Sequence, residues 1–450
     1  LLFEKHFSDL KYTLGRANLL KILKALNIPE IHVKYYPELF DFKLSSYITW
    51  LFYKEKYKKI RSIVVWFSRL GLYKIFDACL YYTYLALIEN DPHFAIKYIS
   101  IRNKKQLNVN SYLVLNNLYE GDLREAENQR TKIPSSLQHY INEIYGQFTK
   151  ISLSKAKNIL IIAEQGVADE VRWARMYSKI NNNGRKKYTI TCDPRFYNLF
   201  SCSFPNLSFI PHRRLFRKPP GMDINFFHAG NIPEEVSDFD LIMSTSMLFN
   251  ICEEIKTNNS TYISSKKFKY PIKESGLKIG ILWSSSFVGG LRMHRYGIKW
   301  LEWQKFIKKI HLLRCSLYCL QSPINSEDID FCKKNKINVV EDVDLYNDFD
   351  KSAKFLSSLD YVIGPSSLTT ELAAACGTTF LHIANAPEIA MMRNGSINNL
   401  SQRDQLSNNT ITVYPKVGFK VNKESINRSC LNHAFEIIQE KYLNEKNIKI

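Results

Sequence analysis

The stretch "LDYVIGPSSLTTELAAACGTTFLHI", residues 359–383, decides the reading of the fold. Its apolar run Tyr361-Val362-Ile363 stops at Gly364-Pro365, the signature of a buried strand closed by a turn. A helix is expected next, with Ser366 or Ser367 as N-cap, Glu371 in the first turn, and Gly377 ending the small-residue face Ala373-Ala374-Ala375. Ser366, Ser367, Thr369 and Thr370 thus gather at a helix start fed by the carboxyl end of a strand. Free N–H groups and the positive end of the helix dipole suit that place to an anion such as a diphosphate. Ordinary capping by the same hydroxyls is the competing reading.

Outward from this stretch, the same alternation recurs. Residues 277–450 read as strand "KIGILWSSS", helix "KWLEWQKFIKKIHLL", strand "SLYCLQSP", helix "SEDIDFCKKNK", strand "INVVED" and helix "DFDKSAKFLSSL" before the opening segment. Residues 151–265 carry a first series: "KNILIIAEQGVADEVRWARMYSKI", "KKYTITCDPRFYNLFSCSFPNLSFIP" and "FDLIMSTSMLFNIC". The polar stretch 256–276 reads as a linker between them. Two α/β series in tandem imply two Rossmann-like domains facing a cleft, with ligands at the carboxyl ends of their strands. The last periodic segment, "LNHAFEIIQEKYL", is expected to pack back across the first series. Residues 1–150 read as helix after helix. The junctions "LIENDPHFAIKYI" (87–99) and "LYEGDLREAENQR" (118–130) resemble tetratricopeptide-type helical hairpins, without a clean repeat of period 34.

A chain of 450 residues with 45% hydrophobic and 13% aromatic content builds more than one core. Its net charge of +19 is spread along the chain with no separate basic tail, so no nucleic-acid partner is expected. Nine cysteines include no CxxC pair, which points to neither zinc nor a disulfide framework and suits a reducing cytoplasm. No apolar run reaches the roughly 18 residues of a membrane span. The expected location is cytoplasmic, either free or in peripheral contact with the inner face of the membrane.

The order of the motifs carries a resemblance. "AEQGVADEVRWARMY", "CDPRFYNLFSCSFP", "FFHAGNIPE", "GILWSSS", "YCLQSP" and the block 344–383 resemble the catalytic region of bacterial tetratricopeptide-linked glycosyltransferases, relatives of lipopolysaccharide heptosyltransferases and, more remotely, of O-linked N-acetylglucosamine transferases. The resemblance covers about residues 155–390. It implies the two-Rossmann glycosyltransferase B (GT-B) architecture behind an all-α domain, inversion at the sugar, no metal and no cofactor, the nucleotide sugar being a substrate. It also assigns Ser366, Ser367, Thr369, Thr370 and Glu371 to the donor diphosphate, Gln321 to its base or ribose, and Trp283, Ser284 and Ser285 to a loop beside the pyrophosphate. Relatives often carry an Arg where this chain has Ser284; Arg292 and Arg295 are the substitutes within reach. Glu164, Gln165, Gly166 and Glu170 fall on the acceptor side, and Asp169 stands where a Gly-Asp pair supplies a base, although Ala168 replaces the glycine. The runner-up base is His228. Asp169 and Glu170 equally suit a helix first turn for its dipole alone.

Two other signals are weaker. "DVD" at 342–344 imitates a metal-binding DxD but reads as a loop before a helix, and "RRLFRK" at 213–218 reads as a solvated loop. The implied partners are a nucleotide-sugar donor and either a protein acceptor, such as a flagellin-like chain, or a surface glycan. A catalytically retired scaffold is the alternative, favoured by Ala168 and Ser284.

Overall fold

A computed structural model describes residues 56, 58, 117, 122–132, 138, 141–142, 145–146, 152–163, 166–180, 186–212, 236–252, 261–264, 270–272, 276–284, 296–394, 404, 407–419 and 421–445. The chain divides into two units, Leu1–Tyr112 and Leu113–Ile450. The expected hairpin at 87–99, the basic run 213–218 and the site residues Glu164, Gln165, His228, Ser285, Arg292 and Arg295 lie outside the described residues.

The second unit is mixed α/β and holds two parallel sheets. After helix α1 (Leu123–Thr131) come β1 (Asn158–Ile162), α2 (Val167–Ala174) with a 3₁₀ turn at Arg175–Lys179, β2 (Lys187–Cys192), α3 (Tyr197–Ser203), β3 (Ser208–Pro211), β4 (Leu241–Ser244) and the single turn α4 (Leu248–Ile251). The second lobe runs β5 (Lys278–Ile281), α5 (Trp300–Leu312), β6 (Ser316–Cys319), α6 (Ser326–Lys334), α7 (Phe349–Leu356), β7 (Tyr361–Gly364), α8 (Leu368–Ala375), β8 (Thr379–Ile383), α9 (Pro387–Asn394), β9 (Thr410–Val413) and α10 (Lys423–Glu445). The strand orders are β3-β2-β1-β4 and β6-β5-β7-β8-β9. Their near-continuous apolar runs, such as Asn158–Ile162 and Tyr361–Gly364, belong to strands covered on both faces.

The two lobes start their sheets with the same device. Asp240, just before β4, accepts from the amides of Lys157 and Asn158 at 2.8 Å each, while its own N–H bonds to the Asn158 carbonyl. In the second lobe Asp360, just before β7, accepts from the Lys278 amide at 2.7 Å and donates its N–H to the Lys278 carbonyl. Each aspartate thereby fixes the register of the first strand against its neighbour across the point where strand order reverses.

Two expectations are corrected by the structure. "INVVED" makes only an isolated bridge, Tyr318 to Asn338, because α6 ends just before it and the chain turns away after one pair. The final helix α10 packs on β8, β9 and α5, burying Ile426, Cys430, Leu431, Ala434 and Ile438 in the core of the second lobe itself. The polar stretch 256–276, expected as a linker, touches both lobes where it is described: the Tyr262 and Ile263 amides both donate to the Ala375 carbonyl at 3.1 Å, the Tyr270 ring meets Phe355 edge-on, and the Ser264 amide donates to Ser203 Oγ at 3.1 Å. At the other end, Ile141 joins Leu160, Ile162 and Ile242 in one cluster, and Gln138 accepts from the Ser244 amide at 2.8 Å. The first sheet is thus partly covered by residues that precede it.

Among the described residues the lobes meet in at least two places. The Arg195 guanidinium, paired with Asp193, reaches across to the Tyr346 carbonyl at 2.7 Å and stands 4.7 Å from the Phe349 ring centroid. Elsewhere α2 packs along α8.

Candidate functional site

In the second sheet β6 lies on one side of β5 and every later strand on the other, so the reversal falls between β5 and β7. Ligands of open parallel sheets bind at such a reversal, outside the carboxyl ends of the strands. Here the two strand ends are drawn together: the Leu282 amide donates to the Ile363 carbonyl at 2.9 Å. A side chain on Gly364 would put its Cβ 2.5 Å from the Leu282 carbonyl oxygen, so only glycine permits the approach. The loop after β5 and the helix start after β7 therefore sit side by side.

At the helix start Ser367 is the N-cap, its Oγ accepting from the Thr370 amide at 3.3 Å. Thr370 replies, its Oγ1 accepting from the Ser367 amide at 2.9 Å and donating to the Pro365 carbonyl at 3.0 Å. Its hydroxyl is thereby consumed by the backbone, and the residue is fully buried. The Thr369 hydroxyl is different: it makes no hydrogen bond among the described residues. Ser366 donates to Glu371 at 2.5 Å. The helix closes as expected, with Gly377 at φ +98° and its amide on the Ala374 carbonyl while the Thr378 amide reaches Ala373.

Gln321, leaving β6, accepts through Oε1 from the Ser284 amide at 3.2 Å and the Ser284 hydroxyl at 3.3 Å. These two expected site residues are brought together. Trp283 is turned the other way: its indole N–H donates to Asp328 at 3.0 Å in the apolar core, where the ring meets Phe331 edge-on.

Behind the helix start lies a buried ion cluster that sequence reasoning missed. Glu371 pairs with Arg393, which also holds Asp404 at 2.9 Å and bonds the Ser366 hydroxyl at 3.2 Å. Burial, with Arg172 nearby, pulls the Arg393 guanidinium down to about 10. Next to it, on β8, His382 is fully buried with neither ring nitrogen hydrogen-bonded among the described residues, and burial lowers its pKa to about 4. Arg393 and Asp404 come from "MMRNGS" and "SQRDQL", whose order carries no periodic pattern; only the isolated Glu371 in a hydroxyl-rich first turn hinted at a partner.

In the first lobe Asp169 sits in the first turn of α2, where its Oδ2 accepts from the Gly166 amide at 2.9 Å and its Oδ1 lies 3.4 Å from Arg172. The carboxylate is a quarter exposed. Glu170 is fully buried and accepts from the Asp193 amide at 3.0 Å, tying α2 to the end of β2. The DVD acids are spent locally: Asp342 takes the Tyr270 hydroxyl and lies 3.4 Å from Lys351, and Asp344 caps the Tyr346 and Asn347 amides.

No family model matches this chain. Protein FlbA of Caulobacter vibrioides is 26% identical over 248 residues, 52% of this chain. The chain spans 40% of the length of that relative. Among solved structures, Escherichia coli heptosyltransferase WaaC with ADP-2-deoxy-2-fluoro heptose gives a TM-score of 0.40 at 10% identity, covering 63% of this chain and 99% of that one. The E. coli ADP-heptose lipopolysaccharide heptosyltransferase II gives 0.36 at 10% identity, covering 64% and 99%.

Proposed function

We propose that the chain is a nucleotide-sugar-dependent glycosyltransferase of GT-B architecture that binds its donor at the β5/β7 reversal. The observation that carries this reading is the helix start of α8: its amides at Leu368 and Thr369 have no acceptor among the described residues, and the Thr369 hydroxyl stands beside them. Such a group of donors at the positive end of a helix suits a diphosphate. Ser284 and Gln321 stand at the ends of the adjoining strands, within reach of the nucleoside, and the ordered motifs of the sequence support the same assignment.

In transfer with inversion the acceptor oxygen attacks the anomeric carbon, the bond from that carbon to the diphosphate oxygen breaks, and the acceptor proton passes to a base. The α8 amides and Thr369 would meet the charge that grows on the leaving diphosphate. Asp169 is our candidate base: Oδ2 is committed to Gly166, while among the described residues Oδ1 has only the long contact to Arg172. Acceptors on a protein or a surface glycan fit equally. A retired scaffold is the second reading, favoured by the inward turn of Trp283 and the consumed hydroxyl of Thr370.

Turnover of nucleotide sugars by wild type and Asp169→Asn tests the assignment. A general base is worth about 10²–10⁴-fold in rate, so Asp169→Asn should lose at least a hundredfold with donor affinity unchanged. Equal turnover in both proteins removes Asp169 from the chemistry. No turnover by wild type with any donor supports the scaffold.

A further inference from the structure

Where α2 packs along α8, the Arg172 charge acts on both Arg175 and Arg393, so three guanidinium groups share one neighbourhood. Arg172 and Arg175, three residues apart and so on one face, come from the first lobe; Arg393 comes from the second. Arg175 is 3% exposed, yet its guanidinium makes no hydrogen bond or ion pair among the described residues. Its Nε is sealed from solvent without an acceptor among the described residues, and the Tyr262 ring lies 5.7 Å from Cζ to centroid. Arg172 also has a buried Nε without a partner among the described residues, although its Nη1 lies 3.4 Å from Asp169. The nearby acids answer them only in part: Asp169 makes a long 3.4 Å contact to Arg172, and Asp404, whose charge reaches Arg175, is bonded, like Glu371, to Arg393. His382 adds a further buried side chain whose ring nitrogens have no partner among the described residues, close enough for the charges of Arg172 and Asp404 to act on it.

A buried cation without a carboxylate is costly, and a folded chain keeps one where something else supplies the negative charge. A guanidinium fork matches the paired oxygens of a phosphate with two parallel N–H···O bonds. We propose that Arg175, assisted by Arg172, is a phosphoryl-binding subsite between the lobes. The subsite lies outside the donors of the α8 helix start and stands whether or not the chain transfers a sugar. Its phosphoryl group comes either from the diphosphate of a nucleotide or from a phosphate on a second substrate. Burial also depresses the basicity of Arg175, as expected for a cation waiting for its partner.

The test is thermal stability of the full chain with inorganic phosphate and, separately, with a nucleoside diphosphate, for wild type, Arg175→Met and Arg175→Lys. Phosphate should stabilise the wild type, and its affinity should fall tenfold or more in Arg175→Met, with an intermediate loss in Arg175→Lys, whose point charge lacks the fork. Without anion, Arg175→Met should melt no lower than wild type, since it removes an unpaired buried charge. If Arg175→Met also loses the nucleotide effect, the diphosphate is the source; if the nucleotide effect survives, the phosphate belongs to another molecule. Should Arg175→Met fail to fold, Arg175→Lys alone decides between weakened and unchanged affinity. The proposal is overturned if phosphate does not stabilise the wild type, or if the variants melt lower and keep the full response to phosphate.

Discussion

The two faces of the second sheet are built from different chemistry. On one, Ile279, Ile281, Ile363, Leu381, Ile383 and Val413 meet α5, α6 and α10 in a continuous apolar core around Trp303. On the other, the register sets Val362 and Gly364 beside Phe380 and His382, and those beside Thr410 and Thr412. His382, Thr410 and Thr412 are all buried there with polar atoms that have no partner among the described residues, next to the Glu371–Arg393–Asp404 cluster. One strand thus contributes Leu381 to a core and His382 to a polar layer, because alternate side chains point to opposite faces. The apolar face supplies stability. The polar face spends some of it, and it lies under the helix start proposed to hold the diphosphate.

The contrast breaks down if the two faces respond alike. The largest effect is expected on the apolar side, where Trp303 is fully buried: Trp303→Ala should cost about 3–5 kcal/mol in denaturant unfolding, with no specific change in ligand response. On the polar side Glu371→Gln removes one of the two carboxylates of Arg393, with an expected loss of about 3 kcal/mol, the lower end for a broken buried pair because Asp404 remains. Unlike Trp303→Ala, this variant should also disturb nucleotide binding through Ser366.

His382 gives the smallest effect at neutral pH and the sharpest signature. Its folded pKa of about 4 lies below the ordinary 6.5, so protons bind the unfolded chain first. The stability it allows is fully present above pH 6.5 and is lost as pH falls toward 4, by up to about 3 kcal/mol. His382→Leu should match wild type near pH 7 within about 1 kcal/mol and flatten that acid loss. Identical acid profiles for the two proteins would show that the ring is hydrated or paired in solution.

How legible each face was in the sequence follows from the same physics. "DYVIG", "KIGIL" and "SLYCL" announced their strands because an apolar run buried on both sides has little other use. Ser367, Glu371 and Gly377 announced the helix ends because capping is local chemistry. β9, "TITV", and α9 were missed: the strand is short and carries two threonines that face the polar layer, and so it has no apolar run to read. The ion cluster was hidden because Glu371, Arg393 and Asp404 are joined only by the fold. The site hydroxyls look alike in sequence, and only the geometry separates Thr370, bound to the backbone, from Thr369, which is not.

The most direct test of the account is calorimetric titration of nucleoside diphosphates into wild type and Thr369→Val. Binding to the wild type, weakened about fivefold or more in Thr369→Val by loss of one hydrogen bond of about 1 kcal/mol or more, is the result the account predicts. No binding of any nucleoside diphosphate to the wild type, or equal affinity in both proteins, would contradict a diphosphate site at the start of α8.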